Sequence, residues 1–401
     1  MKFAFALLLA TAALADEPTL TSLATANRYP LALEGTAISG PAVDFIVRSA
    51  SRAQFVGIGE EHNVAEVAQF TSALFRLLHD RHGFNYFADE QDPWMCAAVS
   101  RPPVRGNLEA IVAIHRTNPN AFTFEGQEEM AMLADIGRIS NAKSDPVWGL
   151  DQIFGALHVL EALQPMAPND AARSRTRELM AIVQPYEQKR YVSGARYMAD
   201  VGKPEEIAAL RQLYHPKSGS EAEFLLDQVE VSLRVYHNYQ LAAKEKQPTG
   251  YESNREREEN MKTLFMRRYR TAERVDRVLP KVLLKFGHWH LYRGMSRGSV
   301  FTLGNFISEF ATSNGMQSFS IAVLLDDGPG SNRDLIKYAP WAKPFVDASA
   351  GAWTVIDLRP VRAYAHAARL GTIDPELWRL IFGFDAVLFG HGAHGATVNS
   401  N

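Results

Sequence analysis

The apolar run Phe55-Val56-Gly57-Ile58 ends in Gly59-Glu60-Glu61-His62. A carboxylate and an imidazole two positions apart, where a buried strand stops, are well suited to proton transfer or metal ligation near neutral pH. Ligands of open α/β sheets sit in the crevice beyond the carboxyl ends of the strands. Ionisable residues at several such ends therefore meet in one place. Three more runs finish this way: Phe84-Asn85-Tyr86-Phe87-Ala88 leads into Asp89-Glu90, Val147-Trp148-Gly149-Leu150 into Asp151, and Val282-Leu283-Leu284-Lys285-Phe286-Gly287 into His288-Trp289-His290. Singly, each residue has an ordinary explanation. Glu60 and Asp151 suit the positive end of a helix dipole, and His62 suits a helix start at the surface. His288 and His290 flank a tryptophan, and in extended chain only one of them faces the site. Jointly, the four strand ends favour a functional site.

A fifth element is Arg255-Glu256-Arg257-Glu258-Glu259-Asn260-Met261. An arginine here could reach a substrate carboxylate or carbonyl through its forked donors. The competing explanation is a solvated helix held by its own ion pairs.

The elements that must position these residues follow from the hydrophobic pattern. Runs rich in β-branched and aromatic residues read as buried strands at 54–57, 85–88, 147–150, 281–286, 318–325, 353–358 and 386–389. Amphipathic helices separate most of them; after His62, the residues Val64, Val67, Thr71, Leu74, Phe75 and Leu78 keep helical spacing. The alternation predicts an α/β fold with a mainly parallel sheet flanked by helices. Between 154 and 277 the strand signal disappears, Leu226, Val229, Leu233 and Tyr236 recur with helical period, and Pro168, Pro204, Pro216 and Pro248 punctuate helices. This stretch is expected to form a helical insertion capping the strand ends, dividing the α/β domain into 16–153 and 278–401. Residues 328–332 read as a turn-rich loop, and the Gly/His segment 390–401, with His391 and His394, as an exposed and partly mobile end. His79 and His82 suit a helix C-terminus.

Residues 1–15 carry Lys2, an apolar stretch and Ala13-Leu14-Ala15 before Asp16. That is the pattern of a cleavable signal peptide, cut after Ala15 and leading to a periplasmic or secreted protein. No later stretch is long and apolar enough to span a bilayer. Cys96 is the one cysteine, which leaves no internal disulfide and makes the hydrophobic core the source of stability. Its apolar neighbours mark it as packing. A net charge of −3 lacks the basic footprint of a nucleic-acid binder.

The ordered set of motifs resembles the erythromycin esterase-like branch of a superfamily that also includes haem-binding uptake proteins of the ChaN type and the Tiki metalloproteases. Glu60-Glu61-His62 is similar to the family's Gly-Glu-x-His motif in its one-residue-spaced ChaN form, and Glu66 to the glutamate shortly after it. Glu90, or Asp89, takes the place of the second-strand glutamate. Gly149-Leu150-Asp151 resembles the Gly-aromatic-Asp strand end, Arg257-Glu258-Glu259-Asn260-Met261 the Arg-acid-x-x-Met helix motif, and Gly287-His288-Trp289-His290 the late Gly-x-x-His strand. The esterases space their late histidines three apart, whereas here they are two apart.

The resemblance implies a secreted hydrolase of a small-molecule ester, lactone or amide. In it His62 acts as general base, Glu60 orients it, Glu90 holds the water or a second proton, and His290 or His288 stabilises the oxyanion. Arg257, Asp151 and Glu66 are the expected substrate-binding residues. This version requires no cofactor. A metal-dependent version would place Zn²⁺ or Mn²⁺ on Glu60, His62, Glu90 and His290. The alternative is a haem- or metal-binding periplasmic protein of the ChaN type without hydrolysis.

Overall fold

The seven apolar runs form strands because each can bury both faces, and the helices between them supply the cover. In the computed structural model, residues 19–187, 195–246, 250–329, 331–367 and 373–398 are described. Residues 1–15, expected from the sequence to be a signal peptide, Pro248, Gly330 and residues 399–401 lie outside them. The strands in chain order are β1 (Arg28–Pro30), β2 (Ala32–Glu34), β3 (Ala37–Ser39), β4 (Ala53–Glu60), β5 (Tyr86–Asp89), β6 (Val147–Gly149), β7 (Val282–Gly287), β8 (Gln317–Leu325), β9 (Thr354–Asp357) and β10 (Ala386–Gly390). Eight of them make one sheet in the order β1-β9-β10-β8-β4-β7-β5-β6, and β2 and β3 form a separate pair. From β10 to β6 every pairing is parallel; the β9 and β1 edge is antiparallel. The sequence pattern missed β1, β2 and β3, which at three residues each are too short to show alternation.

The order of the sheet matters for the chemistry. The four strands that end in carboxylates or histidines, β4, β7, β5 and β6, are consecutive neighbours. β7 comes late in the chain yet inserts between β4 and β5, pairing Glu60 with Gly287 and Asp89 with Lys285. Their C-terminal ends therefore open on one side of the sheet.

Side chains alternate between two cores. Val56, Ile58, Phe87 and Leu283 face a core built with the helices Pro41–Ala50, Ala65–His82 and Gln127–Ile139. Phe55, Tyr86, Leu284 and Phe286 face another built with the helices Tyr251–Asp276, Leu303–Ser313 and Pro375–Gly383. The insertion has a third core of its own, in which Val159, Leu179, Ile207, Leu226, Val229 and Leu233 pack together. Among the described residues it contains no strand. Its last helix, Tyr251–Asp276, is shared: Met261, Leu264, Phe265 and Tyr269 pack against the sheet, so the insertion is fastened to the strands. No helix of the described residues is long and apolar enough to cross a membrane.

After Gly287 the chain turns into a short helix, His288–Leu291, against which the helix Leu303–Ser313 is seated. Gly304 permits the approach: a Cβ there would lie 2.2 Å from the carbonyl oxygen of Leu291. Gly304→Ala is expected to lower stability by about 1–3 kcal/mol, the usual cost of overpacking, which a urea midpoint would measure.

Candidate active site

Glu60 is the last residue of β4 and is buried, and one of its oxygens serves two donors. Lys285 Nζ lies 2.9 Å from Glu60 Oε1, and His62 Nδ1 lies 3.0 Å from the same atom. Lys285 sits in the middle of β7 and is fully buried, with Glu129 Oε1 at 3.1 Å and Asp89 Oδ1 at 3.7 Å. One ammonium thus holds together three carboxylates from β4, β5 and the helix Gln127–Ile139. Burial opposes its charge, but Asp89, Glu129 and Glu60 outweigh it and hold the lysine protonated. Burial also lifts Asp89 and Glu129 above the ordinary carboxylate range, with repulsion from neighbouring carboxylates, Glu129 and Glu60 on Asp89 and Glu60 on Glu129, adding to it.

His62 stands on the loop after β4 with a side chain 38% exposed. Phe124 stacks on its ring at 4.5 Å between centroids. The backbone of Gly287 approaches closely: a Cβ at that position would be 2.9 Å from His62 Nε2. Only glycine leaves the ring in this place. His62 Nε2 is directed towards Glu90 Oε2 at 3.9 Å. Partial burial disfavours the imidazolium, but the hydrogen bond to Glu60 and the charge of Glu90 prevail and raise the His62 pKa above 6.5.

Glu90 follows β5 and gathers the rest of the site. Its Oε2 accepts the Gly287 N–H at 2.7 Å, and its Oε1 accepts Arg257 Nη2 at 2.6 Å and faces His290 Nε2 at 3.5 Å. Burial alone would favour the neutral acid, but His290, Arg257, His62 and that N–H hold Glu90 far below the usual carboxylate range. It is therefore a fixed anion. Arg257 is gripped from the other side by Asp151, which accepts Nε at 2.8 Å and Nη2 at 2.7 Å. Nη1 takes part in none of these bonds.

His290 Nδ1 is 2.7 Å from Glu258 Oε1, and Glu258 Oε2 accepts the Leu303 N–H at 2.7 Å. Glu90 and Glu258 overcome burial and raise the His290 pKa. His288 differs. Its Nε2 donates to the Val323 carbonyl at 2.6 Å, and burial lowers its pKa to about 4, so it stays neutral. Because β7 gives way to a helical turn at His288, strand alternation does not apply, and both histidines line the cavity.

That cavity holds about 820 Å³, within the range of small-molecule sites. Glu60, His62, Glu90, Arg257, His288 and His290 form its floor, while Gln152 from the stretch after β6, Tyr236, Tyr239 and Asn254 from the insertion and Trp289 from the turn after β7 form its walls. The structure thus brings together the residues expected from the strand ends and from the helix motif. Asp151 belongs to the group as the clamp on Arg257 and is not among the lining residues. Glu66 is elsewhere: its two oxygens hold His394 at 2.8 Å and 2.7 Å. In the helix motif, Arg255 forms the intrahelical ion pairs, with Glu252 and Glu259, while Arg257 and Glu258 turn inward.

The sequence reading passed over Lys285, Glu129, Glu258 and Phe124. Lys285 carried a signal, a lone cation inside the run Val282–Gly287. Among the described residues, no group of three or more His, Cys, Asp or Glu side chains is spaced to hold a metal ion. Of the four residues considered for Zn²⁺ or Mn²⁺, Glu60 engages Lys285 and His62, and Glu90 engages Arg257 and the Gly287 N–H.

Removing Lys285 would leave its three carboxylates facing one another. Lys285→Met is expected to cost roughly 3–5 kcal/mol, as breaking a buried pair does. Carboxylates whose folded pKa is raised favour the folded state at low pH and lose that contribution as pH rises through the raised value. The loss in Lys285→Met should therefore be greater at pH 8 than at pH 5, as urea unfolding at the two pH values would show.

No family model matches the chain, and no curated protein matches it by sequence. Solved structures do. A protein from Bacillus cereus superposes with a TM-score of 0.56 at 15% identity, covering 95% of this chain and 98% of its own. A mutant of the erythromycin esterase EreC in its open conformation gives 0.60 at 13% identity, covering 93% and 100%. A succinoglycan biosynthesis protein gives 0.58 at 14%, covering 94% and 97%. Over nearly its whole length, this chain has the α/β fold of the erythromycin esterase structure and of these two proteins.

Proposed function

We propose that this protein is a hydrolase that activates water with His62 and cleaves an ester, lactone or amide bond in a small-molecule substrate. The observation that carries the reading is the Glu60–His62 pair, whose ring faces a large cavity floored by a fixed carboxylate, an arginine and a second histidine. The likeness in fold to an erythromycin esterase supports a carbonyl substrate.

In this mechanism neutral His62 keeps its proton on Nδ1, hydrogen-bonded to Glu60, which leaves the Nε2 lone pair to accept a proton from water. The water oxygen bonds to the carbonyl carbon as the carbonyl π pair moves to oxygen. Arg257 and protonated His290 are the cations available to that oxygen. Collapse of the tetrahedral adduct breaks the bond to the leaving oxygen or nitrogen, which takes its proton from the imidazolium of His62 or from His290. Glu90 is held ionised, so it serves as an electrostatic anchor for Arg257, His290 and the charged form of His62, not as a proton carrier. His288, neutral and bound to Val323, keeps the turn after β7 in place. No step calls for a metal.

General-base assistance is worth ~10²–10⁴-fold, so His62→Gln should lower kcat by that order with the circular dichroism spectrum unchanged. Full turnover by the folded variant, on any ester or lactone the native chain hydrolyses, would refute the assignment. The pH profile provides a second test. Since the base form of His62 exists only above a pKa raised past 6.5, kcat/KM should fall on the acid side with a midpoint above 6.5. The stability contribution runs the other way: a histidine with a raised folded pKa stabilises below its unfolded value and loses that contribution as pH rises through the folded one. Dialysis against a chelator is expected to leave the rate unchanged.

A further inference from the structure

The Gly/His segment after β10 is tied down on both sides of His62. On one side it meets the loop that carries the histidine. Ala65 N–H donates to the His394 carbonyl at 3.0 Å, Ala396 N–H donates to the Asn63 carbonyl at 2.8 Å, and Val64 pairs with Gly395 as an antiparallel bridge. Glu66 fixes this crossing by accepting both the backbone N–H and the Nδ1 of His394. On the other side the segment meets the stretch that follows Phe124. Gln127 N–H donates to the Thr397 carbonyl at 2.9 Å, and Glu128 accepts Thr397 N–H at 2.8 Å and its hydroxyl at 2.7 Å. Gly126 allows the contact, since a Cβ there would come within 2.6 Å of the Ala396 Cβ. At its root the segment is held by Asp327, which accepts Gly392 N–H, and by Arg333, which donates to the Ala393 carbonyl.

We propose that residues 391–398 form a strap that positions His62 by holding together the loop that carries its ring and the segment whose Phe124 stacks on it. Asn63, next to His62, is held at φ +60°, a conformation that a side chain other than glycine rarely adopts unaided. The neighbouring bond to Ala396 supplies a reason for it to persist. Glu66 thus becomes a positioning residue that acts through the strap and touches no substrate. The inference rests on the reading of His62 as the base, but its geometry can be tested apart from turnover.

The test is the full chain carrying Glu66→Ala and Glu128→Ala together, neither of which lines the cavity. Loss of both anchors should speed hydrogen exchange at the Ala65 and Ala396 amides. It should also remove the upfield ring-current shift that Phe124 imposes on the His62 Hε1 resonance. Small misplacement of a catalytic group can cost up to about 100-fold, so kcat should fall by roughly 10- to 100-fold with KM little changed. The paired Glu66→Gln and Glu128→Gln variant keeps an amide oxygen for each backbone N–H and should restore the resonance and kcat. Faster exchange at Ala65 and Ala396 with the His62 resonance and kcat both unmoved would overturn the strap. A displaced His62 resonance in a chain that hydrolyses no ester, lactone or amide would refute the hydrolase reading and leave the strap standing.

Discussion

One carboxylate oxygen, Oε1 of Glu60, joins the interior of the sheet to its chemistry. Below it lies the ammonium of Lys285, buried among three carboxylates; above it lies the imidazole of His62, open to the cavity. A cation in that interior costs free energy unless carboxylates surround it, and the carboxylates are equally dependent on the cation. The cluster therefore constrains β4, β5, β7 and the helix Gln127–Ile139 relative to one another at the level of side-chain contacts. The His62 ring, bonded to Glu60, inherits that rigidity. Lys285 also tempers Glu60: its charge opposes the rise in the His62 pKa that Glu60 and Glu90 produce.

Above the cluster, charge alternates in a continuous chain. Glu60 meets His62, His62 and His290 meet Glu90, Glu90 meets Arg257, and Arg257 meets Asp151. Glu90 has a basic group on either side, which keeps it ionised while favouring the imidazolium of His62 and His290. In the proposed hydrolysis such a floor would meet developing negative charge with cations already in place. His288, with the same side chain two residues from His290, lies outside this chain and is driven neutral by burial. Environment decides the role of each histidine.

The insertion completes the site in two ways. It supplies Arg257 and Glu258 from a helix whose other end packs into the sheet core, so the arginine is aimed by the fold and not by a loose loop. It also supplies aromatic and amide walls. Tyr239 is 60% exposed, and Trp289, which also lines the cavity, is 49% exposed. Exposed rings on a cavity wall offer apolar area to a ligand without loss of the protein's own core.

By itself the sequence determined the fold class, seven of the ten described strands and the meeting of the strand ends that carry Glu60, His62, Glu90, Asp151 and one of His288 and His290, while Arg257 stood against a solvated-helix explanation. The reason is that parallel strands buried on both sides must be apolar runs, and their ends are where ionisable side chains escape burial. What local spacing cannot carry is which strands become neighbours. β7 is separated from β4 by more than the whole insertion, yet their pairing alone puts Lys285 beneath Glu60 and Gly287 against His62. The same limit concealed Glu129 and Phe124, which reach the site from a helix and a loop with no motif of their own. It also concealed the partner of Glu66, which the resemblance put among the substrate-binding residues and which the structure pairs with His394. Tertiary structure decided these roles because a charge or a ring takes its function from what packs against it, and those partners lie tens to hundreds of residues away along the chain.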